Sequence, residues 1–108
     1  MQSITVQELE HELKEHTGDA SVDFINVCTP QEYAEAHIPG VRSVPLSDLG
    51  QHLNEFKDKR TIYVHCRSGG RSRMAIQALH DMGISAELVN VEGGILAWTE
   101  SGKPLNRT

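Results

Sequence analysis

Apolar and polar positions recur along this chain with two different periods, and the changes of period mark out its elements. Thr5 with Glu8 three residues later is a capping-box pattern, and Leu9 and Leu13 follow at helical spacing. The pattern predicts a helix of about ten residues. Val22–Val27 reads as a strand. Thr29-Pro30-Gln31-Glu32 supplies an N-cap, a proline at the first helical position and a glutamate at the third. A short helix to about His37 follows, ended by Ile38-Pro39-Gly40. Val41–Val44 is a short strand candidate, and Leu46, Leu49, Leu53 and Phe56 share one face of a helix over Leu46–Phe56.

Thr61-Ile62-Tyr63-Val64-His65, β-branched and aromatic, is the clearest strand. It runs straight into Cys66-Arg67-Ser68-Gly69-Gly70-Arg71-Ser72. The helix after that loop draws its apolar side from Met74, Ala75, Ile76, Ala78, Leu79 and Met82, with Gly83 just past its end. Glu87–Val91 predicts another strand, and Ile95–Ser101 a last short helix closed by Gly102. Strands alternating with helices imply parallel pairing and a sheet covered on both faces. Ligands of such folds sit beyond the carboxyl ends of the strands, where Cys66 lies.

The 108 residues suffice for one domain with a core of its own, and neither repeat, low-complexity tract nor linker divides them. With 38% hydrophobic and 23% charged residues and four prolines, the chain is ordinary globular protein, not a disordered one. No apolar run approaches the roughly 20 residues of a membrane span. Met1-Gln2-Ser3-Ile4-Thr5 lacks the basic start and apolar stretch of a signal peptide, so a cytoplasmic protein is expected. A net charge of −5 argues against a nucleic-acid surface. Two cysteines are too few for a disulfide framework, and the six histidines show no ligand spacing with them, so no metal is expected.

The chemistry is concentrated after the central strand. A cysteine at the end of a buried strand, then two glycines, then a helix, lies in a turn of backbone amides that can form an anion nest. Arg67, Arg71 and Arg73 bring three cations to a helix amino terminus, where they oppose its dipole unless an anion is present. Such surroundings lower a thiol pKa and stabilise a negative group carried on the sulfur. Each part also has an ordinary reading: buried filler, solvated arginines, a tight turn. Together they point to an anion-handling nucleophile.

The wider pattern is more specific. Phe24-Ile25-Asn26-Val27-Cys28-Thr29-Pro30-Gln31-Glu32-Tyr33 with Ala36-His37-Ile38-Pro39-Gly40-Val41, the loop Cys66–Ser72, and Val91-Glu92-Gly93-Gly94-Ile95-Leu96-Ala97-Trp98 resemble, in order and spacing, three signatures of rhodanese domains. The resemblance implies a single three-layer α/β/α domain over 1–108, with a five-stranded, mainly parallel central sheet. It also implies a sulfurtransferase in which the Cys66 thiolate attacks the outer sulfur of a donor such as thiosulfate and keeps it as a persulfide. A thiophilic acceptor (cyanide, a thiol or a sulfur-carrier protein) then removes the sulfur, with no metal or organic cofactor. Substrate binding falls to Arg67, Ser68, Gly69, Gly70, Arg71 and Ser72, with arginine side chains meeting a small anionic donor. Related phosphatases and arsenate reductases carry a loop one residue longer, and the six residues from Cys66 to Arg71 favour sulfur over phosphate.

The chain departs from the family where Asn26-Val27-Cys28 replaces Asp-Val-Arg. Losing both charges of a clamp together is close to neutral. Cys28 is then either buried filler or a resolving thiol that approaches Cys66. Glu32 and His37 match family positions and are expected to hydrogen-bond to each other. His65 is expected to pack on the opposite face from Cys66, Gly93-Gly94 to make a tight turn, and Trp98 to anchor the last helix. Three other readings stay open: a non-catalytic interaction module, a phosphatase or arsenate reductase, and a Cys28/Cys66 dithiol redox protein.

Overall fold

The computed structural model describes residues 1–107. Ten elements plus a 3₁₀ stretch follow one another: β1 (Gln2–Ile4), α1 (Val6–Glu15), β2 (Val22–Asn26), α2 (Pro30–Glu35), β3 (Arg42–Ser43), a 3₁₀ stretch (Leu46–His52), α3 (Leu53–Phe56), β4 (Thr61–His65), α4 (Gly70–Asp81), β5 (Glu87–Val91) and α5 (Gly94–Glu100). The strands form one five-stranded sheet in the order β1-β5-β4-β2-β3, and every pairing is parallel. The sheet is therefore wholly rather than mainly parallel.

Alternation along the strands sends side chains to two cores. Ile25, Val27, Val44, Ile62 and Val64 meet Phe56, Ala75, Ile76 and Leu79 on the side of α3 and α4. Val22, Phe24 and Val91 meet Val6, Leu9, Ile38 and Trp98 on the side of α1 and α5. These are the three layers of an α/β/α domain, with Trp98 anchoring α5 through an indole N–H donated to the Pro104 carbonyl at 2.7 Å. No helix among the described residues is long and apolar enough to cross a membrane.

Local signals place most elements. Thr5 and Thr29 both close true capping boxes, with Glu8 and Glu32 at the third positions. Elsewhere the pattern misleads. β1 has almost no periodic signal, since only Ile4 is even partly buried, yet it forms the sheet edge by pairing Gln2–Ile4 with Val89–Val91. Leu46–Phe56 is not one helix. Pro45 offers no capping side chain and Gly50 interrupts the run, so the chain makes 3₁₀ turns before the short α3. Met74 and Met82 lie 61% and 45% exposed, and the buried stripe of α4 is Ser72, Ala75, Ile76 and Leu79. A serine fills the first position of that stripe because its hydroxyl has buried partners, described below.

These contacts predict unequal costs on the two sides of the helical layer. Phe56→Ala removes a fully buried ring and is expected to cost about 3–5 kcal/mol in urea unfolding. Met74→Ala is expected to stay within about 0.5 kcal/mol of the parent.

Candidate active site

β4 lies at the centre of the sheet and delivers Cys66 to its carboxyl edge, where the residue is 1% exposed. The chain then turns through Gly69, whose φ of +126° is open only to glycine. That turn brings the Gly69 N–H to 3.1 Å from the Cys66 sulfur. The Ser72 hydroxyl lies 3.7 Å from the same sulfur. Burial pushes the Cys66 thiol up, but the N–H groups of Ser72, Gly69 and Ser68 together outweigh it and bring the pKa below the ordinary value. The sulfur is both shielded and favoured as an anion.

The loop is held from behind by α5. The Ile95 N–H donates to the Cys66 carbonyl and the Leu96 N–H to the Arg67 carbonyl, each at 3.1 Å. Gly94 makes this approach possible, since a Cβ there would fall 2.3 Å from the Cys66 oxygen and 2.7 Å from that of Arg67. His65, fully buried on the same side, donates its Nδ1–H to the Cys66 carbonyl at 2.9 Å. Desolvation lowers its pKa to about 4, so it is neutral at physiological pH, and its Nε2 is buried without a partner. With both carbonyls turned into α5, the loop amides are left to face the thiol.

Polar side chains fix the other flank. The Ser72 oxygen lies 2.5 Å from Asn90 Oδ1 and 2.9 Å from the Gly69 carbonyl, and the amide of the buried Asn90 reaches Glu92 at 3.3 Å. Arg71 makes a two-point pair with Glu32, at 2.6 and 2.9 Å. That guanidinium, with the Thr29 N–H, holds the Glu32 carboxyl down at about 2. Arg73 pairs with Glu92 at 3.0 Å. Only Arg67 among the loop arginines has no carboxylate within ion-pair distance among the described residues, and it is exposed. The three-arginine cluster is thus mostly neutralised, leaving backbone N–H groups as the main positive surface at the sulfur.

Cys28 sits beneath this loop in the same buried cluster as Cys66, and both are free thiols. Its N–H donates to Asn26 Oδ1 at 2.8 Å. No group of three or more His, Cys, Asp or Glu side chains among the described residues is placed to hold a metal ion. A groove of about 730 Å³ lies elsewhere, between Gly18–Ala20, Arg42 and Trp98.

The buried thiol after the carboxyl end of β4 and the amides around it lie within the stretch that one family profile matches. The Rhodanese-like domain profile matches residues 9–101. The chain belongs to the rhodanese-like domain family. A sulfurtransferase of Allochromatium vinosum is 31% identical over 102 residues, covering 93% of this chain and 94% of that relative. The crystal structure of a rhodanese-like domain protein from Staphylococcus aureus superposes with a TM-score of 0.81 at 35% identity, covering 100% of this chain and 99% of that one. A Bacillus subtilis protein named as a candidate sulfur carrier, YrkF, is 37% identical over 82 residues. This chain spans only 44% of its length, and 64% and 49% of two uncharacterized relatives from Bacillus subtilis and Synechocystis.

The structure gathers Cys66, Ser68, Gly69 and Ser72 at one point, with the Arg67 side chain outside and Arg71 turned to Glu32. Glu32 and His37 do not bond to each other. His37 places Nδ1 2.8 Å from the Tyr33 carbonyl and stacks on the Tyr33 ring at 3.9 Å between centroids. Asn90 and the carbonyl-facing role of Gly94 were not legible in the sequence.

Gly94→Ala is expected to displace the loop and raise the Cys66 pKa, read by thiolate ultraviolet absorbance against pH. Because the Glu32 pKa is lowered on folding, its contribution to stability is full above the ordinary value of 4.5 and is lost as pH falls toward 2. The carboxylate is about a third exposed, so screening keeps that contribution small. The stability gap between wild type and Glu32→Gln should therefore be steady above about pH 5 and close below it.

Proposed function

We propose that this domain is a sulfurtransferase in which Cys66 carries sulfane sulfur as a persulfide. The observation that carries the reading is the buried Cys66 sulfur at the carboxyl edge of the sheet, with the Gly69 N–H at 3.1 Å. Its thiolate attacks the outer sulfur of thiosulfate or a related donor. A sulfur–sulfur bond forms to Cys66, the donor's own sulfur–sulfur bond breaks, and sulfite leaves with that electron pair. The amides that favoured the thiolate then surround the anionic outer sulfur, at no cost of reorganisation. Cyanide, a thiol or a carrier-protein thiol takes the sulfur and returns the thiolate.

Arg67 is the cation free to meet the donor's oxyanion, while Arg71 works through Glu32 to brace α2 against the loop. The six-residue span from Cys66 to Arg71 favours a single sulfur over a tetrahedral phosphate. An intact nucleophile in such surroundings favours catalysis over a purely binding role. Two free thiols suit a reducing, cytoplasmic setting.

Intact-protein mass spectrometry after brief thiosulfate exposure should show a gain of about 32 Da that cyanide discharges. Cys66→Ser should show none, and its thiosulfate-to-cyanide transfer should fall to background. Failure of thiosulfate and of small persulfide donors alike to load the wild type would overturn the reading. Arg67→Ala should raise KM for thiosulfate about tenfold with kcat little changed, the mark of a binding contact.

A further inference from the structure

Cys28 is the buried nucleophilic atom that the transfer cycle leaves unused. β2 and β4 pair with Asn26 beside His65, and the Val27 N–H donates to the His65 carbonyl at 3.0 Å. The register thus runs on to place Val27 beside Cys66, with Cys28 one step further. Simple strand alternation would send Cys28 to the face opposite Cys66, but β2 ends at Asn26 and the turn that follows brings Cys28 into the same buried cluster as Cys66. The Asn26 side chain fixes the turn by accepting the Cys28 N–H at 2.8 Å, and both thiols enter one buried cluster.

We infer that Cys28 is a resolving thiol that attacks the inner sulfur of the Cys66 persulfide, closing a Cys28–Cys66 disulfide and expelling hydrosulfide. The step rests on the persulfide reading above. The Cys28–Cys66 bond forms as the bond from Cys66 to the sulfane sulfur breaks, and the departing sulfur keeps the electron pair. The sulfane sulfur is reduced to sulfide, the two cysteines are oxidised to a disulfide, and the Cys28 proton leaves with the sulfide. A dithiol reductant restores both thiols. Attack comes from the core side, opposite the amides that hold the outer sulfur.

The groups facing Cys28 set the pace. Burial pushes its thiol up to about 11, against the Arg71 cation and the Arg67 N–H, while the Glu32 carboxylate and Cys66 raise it further. Near neutrality Cys28 is protonated and the step is slow, so an external acceptor wins when one is present. Without an acceptor the stored sulfur drains as sulfide.

The test uses thiosulfate alone, without cyanide or thiol, and follows wild type, Cys28→Ser and Cys28→Ala by intact mass and sulfide assay between pH 7 and 10. In the wild type the adduct of about 32 Da should give way to a species about 2 Da lighter than the reduced protein, with matching sulfide. Sulfide release should rise about tenfold per pH unit. Both variants should hold the adduct and release no sulfide. A wild type that holds its adduct, or releases sulfide no faster than the variants, overturns the inference and leaves the carrier role standing. No adduct in any of the three proteins, from thiosulfate or from a small persulfide donor used in its place, overturns the carrier role itself. Should the variants fail to fold, a peptide map of thiosulfate-treated wild type decides: a linked Cys28–Cys66 peptide supports the inference, and only unlinked persulfide contradicts it.

Discussion

The carbonyls of Cys66 and Arg67 point away from the thiol, into the first turn of α5, and the rest of the site follows from that direction. A peptide group has two polar ends, so docking the oxygens on the Ile95 and Leu96 N–H groups leaves the loop's own N–H groups free to turn inward. The docking requires a residue without a side chain at Gly94. It also requires α5 to be held in place, which Trp98 does from the core on the far face of the sheet. A helix with no side chain at the sulfur thus shapes the cradle around it.

Charge plays a smaller part than the density of arginines suggests. Arg71 and Arg73 each have a carboxylate partner, so they brace the loop and do not leave a large unpaired field over it. Fixed amide dipoles in a buried site do not need to reorganise when charge develops, whereas long exposed side chains do. The Cys66 anion is favoured chiefly by these N–H groups, with burial opposing. Ser72 is itself oriented by the buried Asn90, so this flank of α4 is tied to β5.

Much of this was legible along the chain because it is local. The strand Thr61–His65, the glycine turn and the following helix are contiguous, and both capping boxes are read within four residues. What escaped is what the fold brings together from afar. Glu32 accepts the Thr29 N–H at 3.0 Å as the capping pattern demands, yet the same oxygen takes Arg71 from 39 positions away. A local motif accounted for the residue and hid its second partner. Ser72 breaks the apolar stripe of α4 because burial by hydrogen bonding leaves no trace in hydrophobicity, and the sequence pattern assigns the exposed Met74 and Met82 to that stripe instead. β1 is set by its neighbour β5 and not by its own sequence.

The account turns on Cys66 being held as an anion by backbone amides, and the most direct measurement is its alkylation rate as a function of pH, with the modified residue mapped. The rate should follow a midpoint below the ordinary thiol value and fall wholly on Cys66, while Cys28, its thiol raised to about 11, stays protonated and unmodified near neutrality. A midpoint at or above the ordinary value, or equal labelling of the two cysteines, would contradict it.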